Sequence, residues 1–125
     1  MDKVVHFEIP SDDPSKAQEF YKKVFGWKMN DVPSMDYTIV VTGPLNKKQM
    51  HAESGFINGG IMKRGEDVRN PVITVGVKNV RKTIENVKKA GGYEVTPPTK
   101  VGDMGVSAYV EDPEGNIIGL WQMKR

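Results

Sequence analysis

One stretch of this chain occurs twice. Lys22-Lys23-Val24-Phe25-Gly26-Trp27-Lys28-Met29 is echoed, 66 residues later, by Lys88-Lys89-Ala90-Gly91-Gly92-Tyr93-Glu94-Val95. Two lysines, a glycine and the aromatic after it coincide. A repeat of this length implies two similar supersecondary units, each too small to cover its own sheet face alone.

The residues around the repeat read the same way in both halves. Val4 to Ile9 alternates as a strand, with Val5, Phe7 and Ile9 on one face and Val4, His6 and Glu8 on the other. Asp13 is an N-cap and Pro14 suits the first helical position. Ala17, Phe20, Tyr21, Val24 and Phe25 then keep helical spacing, and Gly26 ends the helix. Strands follow over Trp27 to Met29, Tyr37 to Thr42 and Phe56 to Lys63, with a polar loop from Gly43 to Gly55. The second half restarts with a strand over Pro71 to Val77. A helix capped by Asn79 carries the stripe Val80, Ile84 and Val87 and stops at Gly91-Gly92. Short strands over Tyr93 to Val95, Val106 to Val110 and Ile117 to Met123 complete it, separated by a loop from Thr96 to Gly105 and the turn Asp112-Pro113-Glu114-Gly115-Asn116. The expected fold is α+β: two tandem βαβββ modules, about residues 1–66 and 67–125, in a single domain. They form one curved mixed sheet with helices on its convex face and a cleft on its concave face.

Composition narrows the function. The 125 residues are 38% hydrophobic and 27% charged, the balance of a soluble globular domain. The chain has no cysteine, which excludes disulfides, zinc–thiolate sites and a thiol nucleophile. The net charge of +2 is spread out, so no nucleic-acid footprint is expected. No apolar run is long enough to span a bilayer, and the N-terminus lacks a secretory signal, so a cytoplasmic location is expected. No phosphate-cradling loop or nucleotide fingerprint is present.

Three segments, HFEIPSDDPSKAQEFYKKVFGWKM, INGGIMKR and YVEDPEGNIIGLWQ, resemble the vicinal oxygen chelate superfamily. This is the group of glyoxalase I, bleomycin-resistance proteins and extradiol dioxygenases. The chain looks most like its short glyoxalase-related members, and the resemblance covers nearly the whole sequence. The resemblance implies a divalent metal held by one His or Glu from the first and fourth strand of each module. Here the matching positions are His6, Gly60, Val72 and Gly119. Only His6 offers a donor, whereas a catalytic metal needs about three protein ligands. His51, in its loop, and Glu8 stand off the family positions. No cofactor is therefore expected and a divalent metal is disfavoured.

With the family's inward-facing position for His6, the cleft wall comprises His6 and Glu8, then Asn58, Gly60, Met62 and Arg64, then Thr74, and finally Ile117, Gly119, Trp121 and Met123. Tyr37 or Thr38, and Tyr109, join from strands of uncertain phase. Gly60 and Gly119 leave room for a ligand, or for Trp121 and Met62 to fill. His6 and Glu8 are the candidates for a base and its orienting carboxylate. Each also has a purely structural reading, His6 as a hydrogen-bonded wall residue and Trp121 and Met62 as packing.

The leading functional expectation is a small organic molecule bound in the cleft without the family metal, by a sequestering protein or by a metal-independent enzyme. A cationic drug of the bleomycin kind calls for an acidic cleft, which the sequence does not show. The alternatives are a metal-dependent lyase, of the lactoylglutathione lyase type, or a dioxygenase using His6, and a non-catalytic structural or protein-binding role. The resemblance also implies a homodimer.

Overall fold

The computed structural model describes residues 1–48 and 54–124. These residues form nine strands and two α-helices. By contact the chain divides into two compact units, His6–Pro71 and a second made of Met1–Val5 with Val72–Arg125.

The first unit takes in most of β1 (Lys3–Ser11), then α1 (Pro14–Phe25), β2 (Lys28–Val32), β3 (Tyr37–Val41) and β4 (Asn58–Lys63). β1 runs parallel to β4, β4 is antiparallel to β3, and β3 is antiparallel to β2. The helix starts where the sequence says it should. Asp13 accepts a hydrogen bond from the Lys16 amide at 3.2 Å, Pro14 follows, and Gly26 closes the end at φ 71°. Lys22 and Lys23 lie in its last turn, favourably placed against the helix dipole. Between β2 and β3 a 3₁₀ turn, Pro33–Met35, leads into Asp36 at φ 50°, a conformation that aspartate tolerates better than most residues. Val40 and Ile61 are fully buried, on the α1 side of the strands. Each contributes about 1.5–3 kcal/mol relative to an exposed position. A ring cluster joins Phe7 of β1 through Trp27 to Tyr21 and Phe25 of α1, with Trp27 and Tyr21 nearly parallel at 11°.

The second unit carries β5 (Val72–Gly76), α2 (Val80–Lys89), β6 (Tyr93–Glu94), β7 (Thr99–Val101), β8 (Gly105–Glu111) and β9 (Ile117–Met123). β5 is parallel to β9, β9 antiparallel to β8, and β6 and β7 both pair with β8. Val77, Val80, Ile84, Ala108, Val110 and Leu120 form its core beneath α2. Asn79 caps α2 by accepting from the Lys82 amide at 3.0 Å. The Asp112 carboxylate ties the β8–β9 turn together, accepting from the Glu114 amide and from both nitrogens of Asn116.

Some expectations need correction. The segment from Thr96 to Gly105 is not all loop, because Thr99–Val101 adds to the edge of β8. β2 runs on to Val32, since Asp31 and Val32 continue to pair with β3. β4 begins at Asn58 rather than Phe56. The expected Gly43 to Gly55 loop and His51 fall wholly or partly outside the described residues. No helix among the described residues is long and apolar enough to cross a membrane.

Candidate functional site

His6, Glu8, Tyr37 and Gly60 come together on one face of the first unit. In the register of β1 and β4, His6 stands opposite Asn58 and Glu8 opposite Gly60. In β3 and β4, Ile39 stands opposite Gly60 and Tyr37 opposite Met62. Paired residues share a face, so His6, Glu8, Tyr37, Ile39, Asn58, Gly60 and Met62 form one surface. Phe7, Gly59, Thr38 and Ile61 form the opposite one, towards α1. The expectation that His6 and Glu8 share a face with Gly60 therefore holds within this unit.

The uncertain phase of β3 resolves in favour of Tyr37. Its phenol leans along the strand across Gly60 and lies between His6 and Glu8. The hydroxyl donates to Glu8 Oε2 at 2.9 Å and lies 2.7 Å from His6 Nε2. Since the phenol proton goes to Glu8, His6 must donate through Nε2–H. That tautomer leaves Nδ1 as an acceptor. Nδ1 has no hydrogen-bond partner among the described residues, and no unpartnered side-chain nitrogen or oxygen among them is fully buried, so Nδ1 retains some access to solvent. Burial holds the His6 pKa below its usual 6.5, with the nearby Glu8 carboxylate pulling the other way. The imidazole is thus neutral near pH 7, with one nitrogen committed and one available. Glu8 itself is buried, at 8% exposure.

Gly60 explains how a tyrosine fits there. A β-carbon at position 60 would lie 1.9 Å from the Tyr37 hydroxyl oxygen. That space, expected to admit a ligand or to be filled by Trp121 and Met62, is taken by Tyr37. The corresponding glycine of the second unit, Gly119, stands opposite Thr74 and Tyr109. A β-carbon there would lie 2.6 Å from Thr74 Oγ1, so the buried Thr74 occupies that space. Trp121 instead lies against Gly105. Ile117, Gly119, Trp121 and Met123 alternate with Ile118 and Leu120, which pack with the core under α2.

Other expected wall residues have local duties. Asn58 accepts from the Thr42 amide at 3.0 Å and so fixes the end of β3. Arg64 does not belong to the wall: its guanidinium pairs with Asp12 at 3.0 Å and with the Arg69 carbonyl, joining two loops. Thr38, the other candidate of β3, is buried on the α1 side, donating to Asp31 at 2.7 Å and accepting from Gln18 at 2.9 Å. Sequence reasoning missed this polar cluster. It also missed a groove of about 520 Å³ on the His6 side of β2 and β3, lined by Lys28, Asn30, Val41, Thr42, Pro44 and Leu45 among others.

The residues at the family's metal positions do not suit a metal. Tyr37 blocks position 60, Thr74 fills the space at Gly119, and Val72 is an aliphatic side chain. Among the described residues no group of three or more His, Cys, Asp or Glu side chains could hold an ion.

An α+β chain with this order of strands and helices has the architecture of the glyoxalase/bleomycin resistance/dioxygenase proteins. A superfamily member from Vibrio splendidus superposes with a TM-score of 0.61 at 12% identity, over 98% of this chain and 99% of its own. Residues 3–43 match the family described as bleomycin resistance protein-like N-terminal. A probable lactoylglutathione lyase of Vibrio cholerae is 28% identical over 98% of this chain and 92% of its own length. A putative glyoxylase of Mycobacterium tuberculosis is 29% identical over 94% of this chain. The chain spans 44% of the length of that relative. In sequence and in fold, then, the chain is similar to glyoxalase/bleomycin-resistance-like proteins.

Proposed function

We propose that the first unit binds a small organic molecule on the face carrying His6, Tyr37 and Glu8, and that it does so without the family metal. The observation that carries this reading is the Tyr37 hydroxyl, seated over Gly60 and hydrogen-bonded to both His6 and Glu8. It replaces a metal–ligand cluster with a hydrogen-bonded one and leaves His6 Nδ1 to accept from a ligand. A neutral histidine held in one tautomer is a good acceptor or base. Pairing as a homodimer in the cytoplasm belongs to the same reading, supported by the family resemblance and by the lack of cysteine.

A metal-dependent lyase is the second reading. It is favoured by the name of the Vibrio cholerae relative, which aligns along nearly the whole chain. One experiment separates the two. Protein purified without chelator is assayed for bound metal, and its melting is followed with Ni, Zn, Mn and Fe salts. The organic-ligand reading expects no stoichiometric metal and no metal-induced shift. A stoichiometric metal, or a shift of several degrees that His6→Ala abolishes, would establish the lyase reading instead.

A further inference from the structure

The strand register sets Lys28 and His6 in one row across the sheet face. Lys28 of β2 stands opposite Val41 of β3. Continuing the β3–β4 register brings Val41 level with Asn58, and Asn58 stands opposite His6. With strands spaced about 4.8 Å apart, the two ends of the row are roughly 14 Å apart at their α-carbons. The next row along is Asn30, Ile39, Gly60 and Glu8. The groove of about 520 Å³ lies at the Lys28 end, with Val41, Pro44 and Leu45 as apolar walls. Ile39, 38% exposed, lies beside the row and extends the apolar floor.

The ends of the row differ in chemistry. Lys28 makes no ion pair among the described residues, so its ammonium is available to an anion. Asp31, the acidic neighbour on β2, is engaged by Thr38 and Gln18 of the opposite face. At the other end His6 presents an acceptor nitrogen. Between them stand the buried Val41 and the polar Asn58, with the half-exposed Ile39 alongside.

We propose that this row binds an elongated organic anion, with its carboxylate or similar group at Lys28 and Asn30 and a hydroxyl or N–H donor at its far end on His6 Nδ1. The proposal rests on the reading of the His6 face as an organic-ligand site and adds the ligand's polarity and direction. The Lys28 contact supplies orientation more than affinity, because an exposed ion pair is weak. The His6 contact discriminates more sharply, because a ligand without the donor leaves Nδ1 facing an apolar group.

The test is an NMR titration of the whole protein with three probes. p-Coumarate carries both groups, cinnamate lacks the hydroxyl, and p-ethylphenol lacks the carboxylate. p-Coumarate is expected to bind most tightly, with shifts along β2, β3 and the His6 end of β1. Lys28→Ala should weaken p-coumarate by about fivefold and leave p-ethylphenol unchanged. His6→Ala should weaken p-coumarate by about tenfold and leave cinnamate unchanged. Lys28→Glu, on an exposed edge strand, provides a second variant that tests the same contact by charge reversal. If p-ethylphenol binds through His6 while the carboxylate adds nothing, the anion proposal falls and the organic-ligand reading stands. If no probe binds, or if all bind with no dependence on either residue, both fall.

Discussion

Tyr37 and Gly60 share a single volume. The phenol oxygen lies 1.9 Å from where a β-carbon on residue 60 would be, so either residue can be large only if the other is small. Gly60→Ala must therefore expel the phenol and break its bonds to His6 and Glu8. Overpacking of this kind destabilises by about 1–3 kcal/mol. Urea unfolding should show that loss, and Tyr37→Ala combined with Gly60→Ala should lose less than the sum of the two single changes. Additive losses would mean the two residues do not compete for space.

Tyr37→Phe keeps the ring and removes only the hydroxyl. His6 Nε2 and the buried Glu8 carboxylate each lose one hydrogen bond. The expected loss is about 1–3 kcal/mol of unfolding free energy in urea, larger than for a typical surface substitution. The His6 side-chain nitrogen spectrum should lose its single Nε2–H tautomer at the same time. An unchanged spectrum would place the proton elsewhere.

Stability should depend on pH through His6. Its pKa is lowered in the folded state, so the unfolded chain binds the proton more tightly. The contribution is fully present above the ordinary value of 6.5 and is lost as pH falls from there through the folded pKa. Unfolding curves should show stability declining below about pH 6.5, with His6→Gln flattening that decline. The same slope in both proteins would assign the effect to other groups.

The first amide of α2 is capped from a distance. Val80 N donates to Gln122 Oε1 of β9 at 2.8 Å, and Val80 is fully buried. Gln122→Leu removes that acceptor and should cost about 1 kcal/mol or more, with amide exchange at the start of α2 accelerated. Protection unchanged at Val80 would show that Asn79 alone suffices.

Local signals in the sequence were reliable wherever the physics was local. The caps at Asp13 and Asn79, the stop at Gly26 and the Asp112 turn each depend on residues within a few positions. The alternation of β1 was equally plain, because polar and apolar residues take turns there. β3 reads Tyr-Thr-Ile-Val-Val, apolar or β-branched at every position, and a period of two leaves no mark on such a run. That is why the phase of Tyr37 could not be read. The bridge from Tyr37 to His6 spans 31 residues and depends on a side chain leaning along its strand. No pattern in the sequence encodes that lean. The glycine at 60 was visible, but its tenant was not. The groove at Lys28 was missed for the same reason, since it arises from the register of β2 on β3 and from the loop after it. The strand at Thr99–Val101 escaped because Thr96 to Gly105 is rich in breakers, and edge pairing with β8 outweighs that local bias.

The shared volume at Tyr37 and Gly60 also works as a ratchet on descent. A carboxylate that appears at position 60 while a tyrosine stands at 37 must expel the phenol, because the space does not hold both. Shrinking the tyrosine first sacrifices the hydrogen bonds that hold His6 and Glu8. Any lineage carrying this pair passes through a weakened protein before it could place a metal ligand there. Two residues distant in the chain thus limit what each other can become.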